Sequence, residues 1–398
     1  MLVVKHLYNW SYEKTETFVG DSITLRQFCR VYLNSVPDDT TLIKWANLIQ
    51  PETLHDLLDH VAIMAHRLKV TRGRKLRTDG TVVESNIHHP TDSGLLVDGV
   101  RVLSRTLRRA REVVEQVSTK VKTGQQIFRN RLRSARNAAR EVGRATRRGA
   151  KETTQRCQQA YRKLVRLTTA SVKQAQQVVE VLQEVATQEA QRLQEQLEHL
   201  LPLVEQVIDQ TVRRVFDGQK VPAAEKLVSL FEPHTDIIRR GKKDKPVEFG
   251  HKVWFDEVDG GIVSDYRILE GNPKDAGQWV LSLEQHRELF GRPPDQASGD
   301  RGLHSPDNET LAQEMGVRRV ILPKPGYRSA ERKQHEKQRW FRRGRRYHQG
   351  VEGRISVLKR RHGLARCLYH GEDGFERWVG WGVIAHNLLV IGTALTAR

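Results

Sequence analysis

Apolar residues recur at three- and four-residue spacing over most of this chain, and alternate with polar ones in only a few short stretches. Residues 1 to about 70 read as helical. Asp21 or Ser22 can cap a helix carrying Leu25, Phe28, Val31 and Tyr32. Thr40 or Thr41 can cap a second with Leu42, Trp45 and Leu48, and Pro51 opens a third with Leu54, Leu57, Val61 and Met64. Three short helices fit a helix-turn-helix DNA reader or a dimerising bundle. Thr78–Ser85 then reads as a strand, with β-branched residues at 81 to 83.

From about Asp98 to Phe216 the pattern is helical again and free of proline until Pro202. Gly149 marks a turn between two arms, and Leu193, Leu197, Leu200 and Val204 form a seam. This predicts a long antiparallel helical hairpin, either a clamp on DNA or a second subunit, or a plain spacer. Strand signals return at Val253–Val258 and Ile262–Leu269, joined by Asp259-Gly260 as a hairpin turn. Asp275 is expected to cap a helix through Leu289, and Asp295–Asp300 to form a short strand. Ser305-Pro306 opens a helix that Gly316 ends, and Val317–Leu322 is a last strand. A basic helix carries Val351, Ile355 and Leu358 on one stripe and Glu352, Ser356 and Lys359 on the next. Trp378–Leu395 reads as a buried closing helix, since His386, Asn387 and three glycines interrupt it, and no membrane segment is expected.

These elements make an α/β fold in which about 160 residues of helix separate the first strand from the others. Sequential strands usually neighbour one another, so one domain with a helical insertion after its first strand is the economical solution. The expected divisions are 1–70 (helical domain for DNA binding or dimerisation), 71–97 and 233–398 (the split α/β domain), and 98–232 (the insertion).

Charge adds a partner. Of 398 residues, 67 are Lys or Arg and 48 Asp or Glu, a net charge of +19 that points to a polyanion, with nucleic acid first. Fifteen bases lie between Arg101 and Ala150 and fifteen more between Lys324 and Arg366, each tract opposed by three acids. Cys29, Cys157 and Cys367 are isolated, which excludes a disulfide framework and fits a reducing cytoplasm. The N-terminus lacks the apolar core of a secretory signal.

Glu352 is the only acid between Glu336 and Glu372. It is either an ordinary surface residue offsetting local repulsion or a metal ligand beside a phosphate backbone. The expected topology brings it together with Asp79 on the first strand and Asp300 after the fourth. Three carboxylates suit Mg²⁺ or Mn²⁺, and two such ions support in-line phosphoryl displacement. Arg301, Arg345, Arg346 and Lys359 are the candidate phosphate contacts.

Around these acids, TDGTVVES…HPTDSGLL, SGDRGLHSPDNETLAQEMGV and YHQGVEGRISVLKRRHGL resemble bacterial insertion-sequence transposases of the DDE type, nearest the ISNCY-like and related groups. The resemblance covers about 71–97 and 245–396, and more loosely 20–60. It implies an RNase H-like, retroviral-integrase-type mixed sheet with Asp79, Asp300 and Glu352 as the metal-binding triad. It also implies double-stranded transposon-end and target DNA as partners, a homodimer or higher assembly in the synaptic complex, and a bacterial, nucleoid-associated location. A non-catalytic DNA-binding or architectural protein derived from such an enzyme is the alternative. Where the family's third block places Tyr and Arg before the Glu, this chain has Arg345 and His348, for which backbone contact is expected. Glu84, Asp92, Asp98, Asp256 and Asp265 compete with Asp79, which alone combines the start of a strand with the family's first block.

Overall fold

The computed structural model describes residues 1–117, 129–146, 151–239 and 245–398, and Gly149 lies outside the described residues. In chain order the first elements are α1 (Leu2–Tyr8), α2 (Tyr12–Asp21), α3 (Ile23–Phe28), α4 (Asp39–Leu48), α5 (Pro51–Arg67) and β1 (Lys75–Glu84). There follow α6 (Asp92–Val117), α7 (Leu132–Thr146), α8 (Lys151–Gln183) and α9 (Gln188–Val215). The chain then forms β2 (Asp236–Arg239), β3 (Val247–Val258), β4 (Ile262–Leu269), α10 (Gln278–Phe290), β5 (Gln296–Ser298), α11 (Pro306–Glu314) and β6 (Arg319–Ile321). It ends in α12 (Ala330–Lys337), α13 (Arg339–Arg361) and α14 (Glu372–Thr396).

Local chemistry sets many of these boundaries. The Ser22 hydroxyl accepts from the Leu25 N–H to cap α3, and Ser305 accepts from Asn308 to cap α11, with Pro306 at the first position. Gly316, with φ +95°, stops the chain just past α11. Two expectations shift. Asp38, not Thr40 or Thr41, caps α4, its carboxylate accepting from the Thr41 N–H. Asp275 caps nothing: it begins a 3₁₀ turn, and α10 starts at Gln278 without a side-chain cap.

Residues 1–86 and 236–398 form one compact unit and 87–235 another. In the first, a six-stranded sheet runs β2-β3-β1-β5-β6, with β4 also on β3. β1 is antiparallel to β3 and parallel to β5, and β5 is parallel to β6. The outer edge of β3 is shared: Val247–Gly250 pair with the short β2, and Lys252–Val258 with β4. One face is covered by α10 and α11 through Trp279, Leu283 and Ala312, the other by α13 and α14 through Leu358, Phe375 and Val379. α5 contributes to both cores, Val61 and Ala65 to the first, Leu54 and Leu58 to the second. α5 therefore shares the core of the sheet, α1 packs on α14, and α3 and α4 pack on α2.

The β3–β4 turn does more than reverse the chain. Asp259 accepts from the backbone N–H groups of Arg72, Arg74 and Lys75, pinning the start of β1. Gly260 has φ +86°, and a Cβ there would stand 2.1 Å from the Val70 carbonyl oxygen, so the position admits glycine alone. α14 is long and apolar enough to cross a membrane by length and composition, yet it is packed into the core. Asn387, fully buried, accepts from the Val263 N–H and donates to its carbonyl, taking the place of a strand partner at the edge of β4.

Among the described residues the second unit holds four helices, where the apolar seam predicted a hairpin of two arms. Leu96, Leu103, Leu164, Val178, Leu193, Leu197 and Val204 pack in one core across α6, α8 and α9, with Ala135, Ala138 and Val142 of α7. The break between α8 and α9 follows Leu182, where Thr187 caps the next helix by accepting from Ala190. Nothing at 183–187 is a proline or a glycine, so composition offered no signal for this turn.

Candidate active site

β1 and β5 lie side by side in parallel, with Arg77 opposite Ser298. Strands so paired are separated by about 4.8 Å. Two residues further along, Asp79 is still within β1, whereas Asp300 lies beyond the last paired residue of β5, at the start of a 3₁₀ turn. Asp79 shares a face of β1 with Arg77, and this is the face on which α13 packs, because Arg77 donates to the Tyr347 carbonyl of α13. Glu352 lies five residues beyond Tyr347, on the exposed side of α13.

Asp300 sits just past the end of β5, exposed, with one carboxylate oxygen accepting from the N–H groups of Gly302 and Leu303. Its pKa is raised, first by partial burial and then by the neighbouring Asp275 carboxylate, against the two N–H bonds and Lys252. Asp275 in turn is ion-paired with Lys252. The acid beside Asp300 is thus Asp275, which the sequence marked only as a helix cap. Asp79 accepts from the Gly80 N–H at 2.8 Å.

His348 connects the helix to the strand end. Its imidazole bonds the Ser298 backbone, and its pKa is lowered to about 4, chiefly by burial and then by Arg77. The ring is therefore neutral at neutral pH. Lys359 donates to the Val82 carbonyl at 2.7 Å, seating α13 on β1, while Arg301 and Arg346 are exposed and Arg345 is half-buried.

Beneath this face lies a charge network without any signal in the sequence. Glu257, 1% exposed, accepts from Arg77 Nε at 2.8 Å and Nη2 at 2.6 Å, and from Arg354 Nε at 3.1 Å. The Arg77 guanidinium stacks over the Tyr347 ring, 4.7 Å from its centroid, and Arg354 reaches His386 of α14. Gly350 lets α13 approach: a Cβ there would stand 2.2 Å from Arg77 Nη1. These contacts fix how α13 lies on the sheet, and so where Glu352 is carried.

The competing acids are engaged elsewhere. Glu84 pairs with Lys245 and Arg366, and in the helical unit Asp92 pairs with Arg214 and Asp98 with Arg101. Asp256 and Asp265 face each other across β3 and β4 with Arg267 bonded to both. Burial, then the Asp256 charge, pushes the Asp265 carboxyl up to about 7. A carboxyl that holds its proton longer in the folded than in the unfolded chain costs stability as pH rises from about 4 to about 7, and no more above that. Asp265→Asn, which resembles the protonated form, is expected to gain in Tm relative to the parent across that interval. A difference in Tm that stays constant from pH 4 to pH 7 would refute this.

All three candidate ligands are carboxylates, an oxygen-only donor set suited to a hard divalent cation, and they stand on adjoining elements. Among the described residues, however, no three His, Cys, Asp or Glu side chains are grouped as metal ligands. The fit is one of donor chemistry and backbone placement.

Residues 312–391, which include β6, α13, Glu352 and most of α14, match the family model described as "Transposase DDE domain". Residues 1–48 match "Transposase domain (DUF772)". Neither the comparison with curated proteins nor that with solved structures found a match. The chain is thus similar to transposases at both ends, to a DDE domain over residues 312–391 and to a second transposase domain over residues 1–48.

Proposed function

We propose that this chain is a DDE-type insertion-sequence transposase that binds the terminal inverted repeats of its element, cuts phosphodiester bonds at the ends, and joins the freed 3′-hydroxyls to target DNA. The observation that supports the reading is that Asp79 lies on β1, Asp300 just past β5 and Glu352 on α13, and that these three elements pack on one another. The strand order β4-β3-β1-β5-β6, with three antiparallel and then two parallel members, supports an RNase H-like sheet interrupted after its first strand.

Asp79, Asp300 and Glu352 would hold one or two Mg²⁺ or Mn²⁺ ions. Such ions supply activation of a water or a 3′-hydroxyl and neutralise the departing oxygen. The chain's own part is positioning. Glu257 and Lys359 seat α13 on β1, and neutral His348 ties it to β5 next to Asp300. Arg301, Arg345 and Arg346 would hold the phosphate backbone, and a bound phosphate would find no other acid on α13 besides Glu352.

Incubation with labelled element ends and Mg²⁺ tests this, with cleaved and joined products expected. Neither product from an intact, DNA-binding chain would overturn it. A second test reads the phosphate contacts. With several Lys and Arg displacing counterions, affinity for the ends should fall by about a thousandfold between roughly 50 and 200 mM salt. An affinity that ignores salt would oppose phosphate-dominated binding.

One observation favours the non-catalytic reading: the absence of a three-acid metal group among the described residues. A calorimetric Mn²⁺ titration separates the two, since a chain without a working triad would take up no ion at these residues.

A further inference from the structure

We infer that the exposed apolar surface of residues 8–48 is where two copies of this chain meet. Of the sixteen large apolar side chains exposed among the described residues, nine fall in these 41 positions. Leu33 is 99% exposed, Ile23 84% and Leu48 72%. α3 buries none of its residues, so it adds nothing to the core of its own chain. The surface is continuous in structure, because α3 and α4 both pack on α2, and Tyr8, Trp10 and Phe18 stack with centroids 4.5 and 4.6 Å apart.

The backbone is bent to present this surface. Arg30 and Tyr32 both adopt left-handed conformations, with φ of 54° and 51°, which side-chain-bearing residues rarely take. Arg26 holds that bend by donating to the carbonyls of Tyr32 at 2.7 Å and Asn34 at 2.6 Å. The outcome is Leu33 projecting into solvent. A loop constrained in this way has an apolar side chain to insert into something.

Charge identifies the occupant. Residues 1–48 hold five acids (Glu13, Glu16, Asp21, Asp38, Asp39) and five bases (Lys5, Lys14, Arg26, Arg30, Lys44), so the whole +19 resides in residues 49–398. Among these bases, Lys5 is buried, Arg26 is spent on the bend, and Lys14 lies over the Trp10 and Phe18 rings. A phosphate backbone needs free cations, and this surface offers few. Two strongly basic copies, by contrast, repel over most of their surface and can approach where each is neutral. Nine large side chains, from 40% to 99% exposed, offer on the order of 800 Å², what one partner contributes to a stable interface. A self-complementary two-fold contact is the form this would take. The reason for it rests on the reaction proposed above, in which two element ends are handled together.

The test needs no catalysis, so its failure is separate from failure of that reaction. In light scattering at tens of micromolar, without DNA, the full chain is expected to show twice the mass of one copy. The Leu33→Asp/Trp45→Asp variant is expected to show the mass of one, with unchanged circular dichroism. Should that variant lose helix signal, Leu33→Asp alone is read instead. Its side chain lies wholly in solvent, and it is expected to weaken the dimer by at least about tenfold. A parent chain of single mass, or variants that keep the dimer mass, would overturn the inference. So would a variant that keeps the dimer mass but loses affinity for duplex DNA, since the surface would then read DNA.

Discussion

Asp300→Asn and Glu352→Gln are each expected to abolish metal-dependent strand cleavage, by at least about a thousandfold, while leaving end binding within a fewfold of the parent. Each substitution keeps the shape of the side chain and removes the charge that would hold a cation. The loss corresponds to several kcal/mol of transition-state stabilisation, the scale expected when a metal can no longer neutralise a departing oxygen. Binding survives in this account because neither acid contacts the phosphates. Asp300→Asn also loses a carboxylate that accepts from Gly302 and Leu303, but an amide oxygen can still accept from both. Cleavage of labelled ends by either purified variant at the parent rate would remove that acid from the site. Cleavage lost together with end binding would instead mean that the substitution disturbed the fold.

Glu257→Ala carries the largest expected cost in stability, about 3–5 kcal/mol. Among the described residues Glu257 is the only acid ion-paired with Arg77 and Arg354, and deleting it leaves both guanidinium groups without that counter-charge. The penalty comes from desolvated charge left unpaired, not from the worth of the ion pairs themselves, which a well-packed apolar cluster could equal. Denaturant titration should show an earlier midpoint at an unchanged slope. A loss below about 1 kcal/mol would mean that water enters to solvate the arginines, and that α13 is seated by its apolar stripe alone. Because Arg77 also holds the Tyr347 carbonyl, five residues before Glu352, the same variant is expected to cut more slowly even where it remains folded.

What could be read along the chain, and what could not, divides by the range of the interaction. Ser305-Pro306, Pro51 and Asp259-Gly260 act within a few residues, through a cap, a fixed φ and a turn, and each element they announce is present. Of the α13 stripe, Val351 and Leu358 are buried and Ile355 is partly buried. Asp38, by contrast, took the cap from Thr40 and Thr41, its carboxylate accepting from the Thr41 N–H three residues on. Helices α1 and α2 were not separated in the reading of the first 70 residues. α1 is only seven residues and has no side-chain cap at its start. The order of Asp79, Asp300 and Glu352 along the chain was legible, since each lies on an element with its own local signal.

The amino-acid sequence by itself determined which segments become strands and helices around these acids, and that the surface carries an excess of base, because both follow from short-range geometry and composition. Only the tertiary structure decided which charges meet. Asp275 pairs with Lys252 beside Asp300, Glu257 receives two arginines, Asp256 and Asp265 share Arg267, and His348 is held uncharged against Ser298. These partners lie between 2 and 180 residues apart and come together only through strand pairing and the laying of α13 across the sheet. An acid's neighbours set its charge and its role, and those neighbours are chosen by the folded arrangement of distant segments, which no local pattern encodes.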